Sequence, residues 1–206
     1  AVRALDDARD LRWGTEGKRD RIPYKREEIL QDCLDAWRDN PLARRIVELT
    51  TQYIVGAGVK VTSPHKVTQK FLDDFWTHRL NRMNVRCMEW CDELTRSGEL
   101  FAVVSTDPGG MSYVRAIPAL EIQAITHAEN DIEQAIAFTQ RPLTIGDEPK
   151  ERVAYDETKD DGSAPVMLHY CINRAVGSQR GESDLAPLLR WIVRYGAWLE
   201  DRVRLN

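Results

Sequence analysis

ELFAVVSTDPGGMSYVRA, residues 99–116, is the stretch on which the reading of the fold turns. Residues 99–106 carry β-branched and aromatic side chains and read as a strand. Asp107-Pro108-Gly109-Gly110 then fixes a tight turn, because proline presets one dihedral and glycine tolerates positive ones. Residues 111–116 return as a second strand. Upstream of this hairpin the apolar pattern has a helical period. Downstream it alternates as strands do, until one last helical segment. The class is therefore α+β: N-terminal helices, an antiparallel sheet with hairpins, and a long C-terminal helix.

Working back from the hairpin, Val85, Met88, Cys91 and Leu94 recur every three residues, with Asn84 as the expected N-cap and Ser97-Gly98 as the stop. Ser63-Pro64 starts a helix to about residue 80, with Val67, Phe71, Phe75 and Leu80 toward its core. Residues 59–62 read as a short strand after Gly56-Ala57-Gly58, a glycine-rich helix end. Asn40-Pro41 opens the helix before it, with Asn as N-cap and Pro at the first helical position. Leu42, Ile46, Leu49 and Tyr53 form its apolar stripe. A short helix covers residues 26–37. Residues 1–24 are charged and hold Gly14, Gly17 and Pro23, so they read as an irregular arm, leaving residues 25–206 as one α+β domain.

Working forward, residues 120–125 and 132–139 read as strands joined by a turn at Glu129-Asn130-Asp131. Residues 141–163 form a polar loop with a short strand at 153–155. Residues 166–172 alternate as a further strand, and a glycine-containing loop covers 173–183. From 184 to about 204 the pattern is helical. Leu185, Leu188, Leu189, Ile192, Gly196, Leu199 and Val203 make one stripe; Trp191, Tyr195 and Trp198 make a second beside it. Two adjacent stripes make a face wider than one core contact requires. Either this helix is central in its own domain, or the aromatic stripe faces another subunit or another segment of the chain.

The chain has 206 residues, 42% apolar and 30% charged, which supports a real core under a solvated surface and argues against disorder. Its apolar runs fall short of the roughly 18 residues a membrane span needs, so no membrane partner is expected. The N-terminus is charged from Arg3 onward, unlike a secretory signal. The chain opens on Ala1, which leads us to expect a segment starting inside a longer reading frame. Net charge is −4, yet residues 129–161 hold ten Asp and Glu against four Lys and Arg. A general basic face for gripping DNA phosphates is missing. Cys33, Cys87, Cys91 and Cys171 are scattered and read as reduced, mostly buried thiols.

Chemistry-bearing constellations are few. Cys87 and Cys91 share a helical face, and His169 and Cys171 share a strand face; together they offer four zinc ligands, but without the knuckle spacing of structural zinc. Asp147 with Glu157-Thr158-Lys159 imitates the carboxylates and lysine of Mg²⁺-dependent nucleases. Those residues sit among Asp156, Asp160, Asp161 and Gly162 in a loop, where rigid positioning is lacking. Gly56-Ala57-Gly58 follows a helix and lacks the third glycine of a dinucleotide fingerprint. His65, His78, His127 and His169 do not group with a nucleophile. No catalytic residue, metal or cofactor is therefore expected.

Several motifs stand in the order found in tailed-bacteriophage portal proteins, the head-to-tail connectors. Asn40-Pro41-Leu42-Ala43-Arg44-Arg45 leading through Tyr53-Ile54-Val55-Gly56 to Gly58-Val59 resembles the opening helix of lambdoid-type and related portals. Gly98-Glu99-Leu100-Phe101 with its hairpin is similar to their strand pair, and Ile117-Pro118-Ala119-Leu120-Glu121-Ile122 to the strand after it. Leu168-His169-Tyr170 resembles a further strand. Gln179-Arg180-Gly181-Glu182-Ser183-Asp184-Leu185-Ala186-Pro187 resembles the signature before the long helix. The likeness covers about residues 38–206.

That resemblance implies a wing-like module of a dodecameric ring at one capsid vertex, with stem, clip and crown lying outside this chain. It implies self-association, contacts with terminase, head-completion or adaptor proteins, scaffold and capsid proteins, and double-stranded DNA passing through the channel. It also implies a place in the virion after assembly in the host bacterial cytoplasm. Arg180 and Glu182 flank Gly181 and offer opposite charges, which suits a ring interface; alternatively Arg180 anchors its own sheet. Ser183 or Asp184 caps the long helix. The alternatives are another virion structural or adaptor protein, or the Mg²⁺-dependent nuclease.

Overall fold

The computed structural model describes residues 25–142, 144, 146–159 and 162–205; the arm expected over residues 1–24 lies outside them. The order is α1 (Arg26–Asp39), α2 (Pro41–Val55), α3 (Lys66–Thr77), α4 (Met83–Ser97), β1 (Glu99–Thr106), β2 (Ser112–Ile117), β3 (Ile122–Ala128), β4 (Asp131–Gln140), β5 (Lys150–Val153), β6 (Val166–Cys171) and α5 (Leu189–Leu205). This is the α+β class expected, ending in a long helix. The strands divide into two antiparallel sheets, β2-β1-β6 and β3-β4-β5. A parallel bridge between Ala154 and Met167 and the Tyr155 N–H donated to the Met167 carbonyl (2.9 Å) join them.

The hairpin forms as its sequence dictates. Phe101 lies opposite Ile117, and the pairing runs to Thr106 opposite Ser112. In the turn, the Asp107 carboxylate accepts from the Met111 N–H (3.0 Å) and the Tyr113 hydroxyl (2.9 Å). Gly110 takes φ +85°, a value an L side chain resists. Asn40 caps α2 as expected, its side chain accepting from the N–H groups of Leu42 (2.9 Å) and Ala43 (3.3 Å), with Pro41 opening the helix.

Helix faces differ from the periodicity reading. α2 buries Ala43, Val47, Thr51 and Val55, one step round from Leu42, Ile46, Leu49 and Tyr53. Ala43 and Val47 share a core with Cys33 of α1 and Leu189 and Ile192 of α5. The small side chains let the helices approach closely, while Tyr53 and Ile54 stay in solvent. On α4 the buried set is Met83, Cys91, Thr95 and Ser97, and Val85 and Met88 are exposed. Asn84 lies inside α4 rather than capping it; its side-chain oxygen accepts from the Trp76 indole (2.6 Å). α3 is shorter than residues 63–80 and buries none of its side chains. Phe71 and Phe75 stack on each other at 6.3 Å, and Leu80 falls beyond the helix. Residues 59–62 pair with no strand, since Val59 and Val61 stand exposed with no partner alongside.

β1 is covered on both faces. One carries Phe101 into a core with Ile117, Ile122, Phe138, Met167 and Leu30 of α1. The other carries Ala102 and Val104 against Met83, Trp76 and Trp90 of the α3–α4 layer. The final helical segment opens with a 3-10 turn, Ala186–Leu188, which takes Pro187, and α5 proper starts at Leu189. Only Leu189 and Ile192 of α5 are buried. Among the described residues no helix is long and apolar enough to cross a membrane.

Candidate functional site

Gly98 ends α4 in a left-handed cap at φ +76°, and the next residue, Glu99, turns straight into β1 with its side chain wholly buried. An isolated carboxylate in such a place forfeits several kcal/mol of hydration, so it persists only where partners converge on it. Three do. Arg26 from α1 forms an ion pair with Glu99 Oε1. Arg180, from the loop before the last helix, places Nε 3.0 Å from Oε1 and 2.7 Å from Oε2. His169 of β6 places Nε2 3.0 Å from Oε2.

The surroundings hold these groups in place. His169 sits opposite Phe101 in the β1–β6 pairing, and their rings stack at 4.3 Å with 2° between planes. Phe138 meets both rings edge-on at 5.6 and 5.9 Å. Arg180 lies over the Phe101 ring at 5.4 Å and approaches the carbonyls of Ala119 and Ile122 at 3.4 Å. It thus ties the first sheet to the entry of the second. Burial, then the positive charges of Arg180, Arg26 and Arg174, push the His169 imidazole down to a pKa of about 4. Two guanidiniums already answer the Glu99 charge, so the ring stays neutral at ordinary pH. A neutral imidazole can meet a carboxylate only as a donor, which places the proton on Nε2.

Backbone contacts lock the same junction. Gly98 O accepts from the Ile172 N–H (2.9 Å), Ile172 O from the Glu182 N–H (3.1 Å), and Thr95 O from the Asp184 N–H (3.0 Å). A Cβ on Gly181 would stand 2.1 Å from the Gly98 carbonyl oxygen, and one on Gly98 would stand 2.3 Å from the Glu182 carbonyl carbon. Both positions require glycine for lack of space. Arg26 Nη1 also donates to the Gly181 carbonyl at 2.9 Å.

The residues singled out in the sequence therefore separate into two places. Arg180 turns inward to Glu99, the sheet-anchoring alternative. Glu182 points to solvent, while its carbonyl accepts from the Asn173 amide at 3.1 Å. Ser183 is buried, and its hydroxyl accepts from the Leu185 N–H (3.0 Å); Leu185 itself stands at the cap of the 3-10 turn, so neither Ser183 nor Asp184 caps that turn with its side chain. The Asp184 carboxylate takes the Asn173 amide at 2.6 Å. Trp191, Tyr195 and Trp198 lie elsewhere, on the open side of α5, and are 68%, 50% and 53% exposed. Arg194 lies over Trp191 at 5.8 Å and Arg202 over Trp198 at 5.3 Å.

Glu99 and Arg26 are the members of the junction that periodicity did not single out. The available signal was an acidic residue heading an otherwise apolar strand, a residue type seldom buried unless paired. His169, considered above as a zinc ligand, spends its Nε2 on Glu99. All four cysteines are free thiols, and no group of three or more His, Cys, Asp or Glu among the described residues is placed to hold a metal ion. Lys159 of the nuclease-like triplet pairs with Asp156 at 2.8 Å. That bond, with those from Thr158, lowers the pKa of the half-buried Asp156 carboxyl to about 2. Asp147 and Glu157 are exposed.

Between the two sheets lies a cleft of about 350 Å³, lined by Ile125, Ile132, Glu133, Tyr155, Met167 and His169 among others. Glu133 pairs with Arg174, also in the lining, at 2.9 Å. Comparison with known proteins gives no family model that matches the chain and no curated protein that matches it.

Proposed function

We propose that this chain is a structural, non-enzymatic subunit of a phage portal ring, forming its wing-like part. The observation that carries this reading is the meeting of the portal-like motifs. Gly98-Glu99-Leu100-Phe101, Leu168-His169-Tyr170 and Arg180-Gly181-Glu182-Ser183 are far apart in sequence and converge on one buried junction. The residues that carry the likeness thus share one packing role in this chain. Exposed aromatic residues on α5 add support, since a subunit of a large assembly keeps apolar surface for its neighbours.

In this reading the chain sits at the capsid vertex of the virion after assembly in the host bacterial cytoplasm. The ring, dodecameric in such proteins, docks terminase and head-completion proteins, meets scaffold and capsid proteins, and surrounds double-stranded DNA during packaging and ejection. The acidic balance suits a ring past which DNA slides without adhering. Negative-stain images and native mass spectrometry of the purified protein test it. Closed rings with an axial opening are expected; open chains or a monomer at every concentration would overturn it.

A further inference from the structure

We infer that Arg79, Arg82, Arg86 and Arg115 form a binding surface for the phosphates of a nucleic-acid backbone. The inference goes beyond the ring reading and does not rest on it. Three observations carry it.

The first is a cluster of like charge without counter-charges. Residues 79–86, RLNRMNVR, hold three arginines and no acidic residue. The fold brings Arg115 of β2 to the same place. Its Nη1 donates to the Leu80 carbonyl at 2.9 Å, and Arg86 Nη2 of α4 donates to the same oxygen at 3.1 Å. Arg79, Arg82 and Arg115 are exposed, and Arg86 is half-buried. Among the described residues none of the four takes part in an ion pair, whereas Arg26, Arg96 and Arg180 each do. Nearby carboxylates leave the charge standing. Asp107 is taken by the Met111 N–H and the Tyr113 hydroxyl, and Glu89 favours the Arg86 charge from beyond ion-pair distance. Burial, then the charge of Arg115, works against the charge on Arg86, and Arg82 adds to that opposition.

The second is rigidity. Asn81 is fully buried and pins the loop between α3 and α4. Its amide donates to the carbonyls of Phe75 (3.1 Å) and Ser112 (2.9 Å), and its side-chain oxygen accepts from the Val114 N–H (3.3 Å). Arg86 Nε also donates to the Asn81 carbonyl. The Arg86 and Arg115 guanidiniums are thus held side by side before any ligand arrives. A guanidinium carries more donors than these bonds use, so both keep donors for an anion.

The third is strain at Arg82. It takes φ 46° and ψ 49°, the left-handed region that glycine and asparagine enter more readily than arginine. Its guanidinium makes no hydrogen bond or ion pair among the described residues. An arginine kept in that conformation, among like charges, lowers stability, and a ligand that needs its charge accounts for it.

The ligand class follows from the array. Guanidinium forks match both phosphate and carboxylate. Several of them fixed together favour a polyanion whose charges repeat along a stiff backbone. Each strand of a DNA duplex supplies a charge about every 3.4 Å, whereas an acidic peptide must order each flexible side chain. Such contacts read no base sequence and let the ligand slide, in keeping with a chain whose net charge is −4.

The test measures binding of a short labelled DNA duplex to the whole protein by fluorescence anisotropy over a salt series. The logarithm of wild-type affinity is expected to fall linearly with the logarithm of salt concentration. Arg79→Gln, Arg82→Asn and Arg115→Gln are each expected to weaken binding several-fold and to lower the salt slope by about one, and the three together by about three. Arg45→Gln on α2 is expected to leave both unchanged. Circular dichroism checks that each variant folds. Arg82→Asn is the most telling, because relief of the left-handed strain raises its melting temperature while its binding falls, which separates lost contact from lost fold. No binding by the wild type, an unchanged slope in the folded triple variant, or an equal loss in Arg45→Gln would each overturn the inference. So would poly-glutamate binding as tightly as the duplex, or full displacement of the duplex by equimolar inorganic phosphate, which marks a single-anion site. A wild type that closes into rings yet ignores the duplex overturns this inference alone; duplex binding by a chain that never closes overturns the ring alone.

Discussion

Arg180 Nε lies 2.7 Å from Glu99 Oε2 although 81 positions separate the two residues. The pair is one side of a three-way contact with Arg26, and removing the carboxylate takes the counter-charge from two guanidiniums in a largely dry junction. Glu99→Ala is expected to lower stability by about 3–5 kcal/mol, the range for breaking a buried ion pair. Denaturant titration reads this as an earlier midpoint at an unchanged slope. A loss below about 1 kcal/mol would mean that both arginines swing out to water. By the same geometry, Arg180→Ala weakens the fold of the single chain before it weakens any assembly.

His169 gives the junction a pH dependence whose sign follows from its depressed pKa. The folded-state value is about 4 against 6.5 for the free side chain. Between these values the unfolded chain binds the extra proton and the folded one does not. Stability is therefore full above about pH 6.5 and declines as pH falls toward 4. The span amounts to about 3 kcal/mol. His169→Gln, which keeps a donor for Glu99, is expected to flatten the slope within that window. Stability curves of equal slope for the two proteins would contradict the buried neutral imidazole.

The backbone of Gly98 fills the side-chain space of Gly181, and the backbone of Glu182 fills that of Gly98. Gly181→Ala places a methyl 2.1 Å from the Gly98 carbonyl oxygen, and the obstacle is backbone, which cannot step aside as a flexible side chain would. A loss of about 2–4 kcal/mol is expected, at the upper end of single substitutions. Gly58→Ala is the contrast: nothing lies within 4 Å of its Cβ position, and only the positive φ of 83° opposes the change. Its loss should stay near 1 kcal/mol. Equal losses at Gly58 and Gly181 would argue against the close approach.

The two sides of α5 should respond differently to truncation. Ile192 is buried with Leu189 against α1 and α2, so Ile192→Ala is expected to lose about 2–5 kcal/mol. Trp198 is 53% exposed, and Trp198→Ala should move single-chain stability by no more than about 0.5 kcal/mol. Thermal melts at low protein concentration separate this effect from association.

Much of the fold was legible because its signals are local. The Asp107-Pro108-Gly109-Gly110 turn and the Asn40-Pro41 cap depend on a few adjacent residues, and both form as read. Helix faces were less legible because neighbours select them. On α2 the larger Leu42 and Tyr53 suggested the buried side, yet close packing selected Ala43 and Val47. Residues 59–62 had the composition of a strand but no edge to join. The junction was least legible of all. Glu99 heads a strand, Arg26 opens a helix, and Arg180 sits in a loop, each an ordinary place for an exposed charge. Only their convergence reveals the role, and convergence is not a property of any short stretch.

That convergence has a consequence in time. The chain grows from its N-terminus at roughly 5–20 residues per second. The 81 positions between Glu99 and Arg180 thus take roughly 4–16 s to synthesise once Glu99 is made. Arg26 is available throughout this interval, but the second guanidinium and the His169 ring are not. β2 can pair with the nascent β1 early, but the other edge of β1 waits for β6 and the Glu99 carboxylate waits for the loop at Gly181, so slow translation between these points prolongs their exposure.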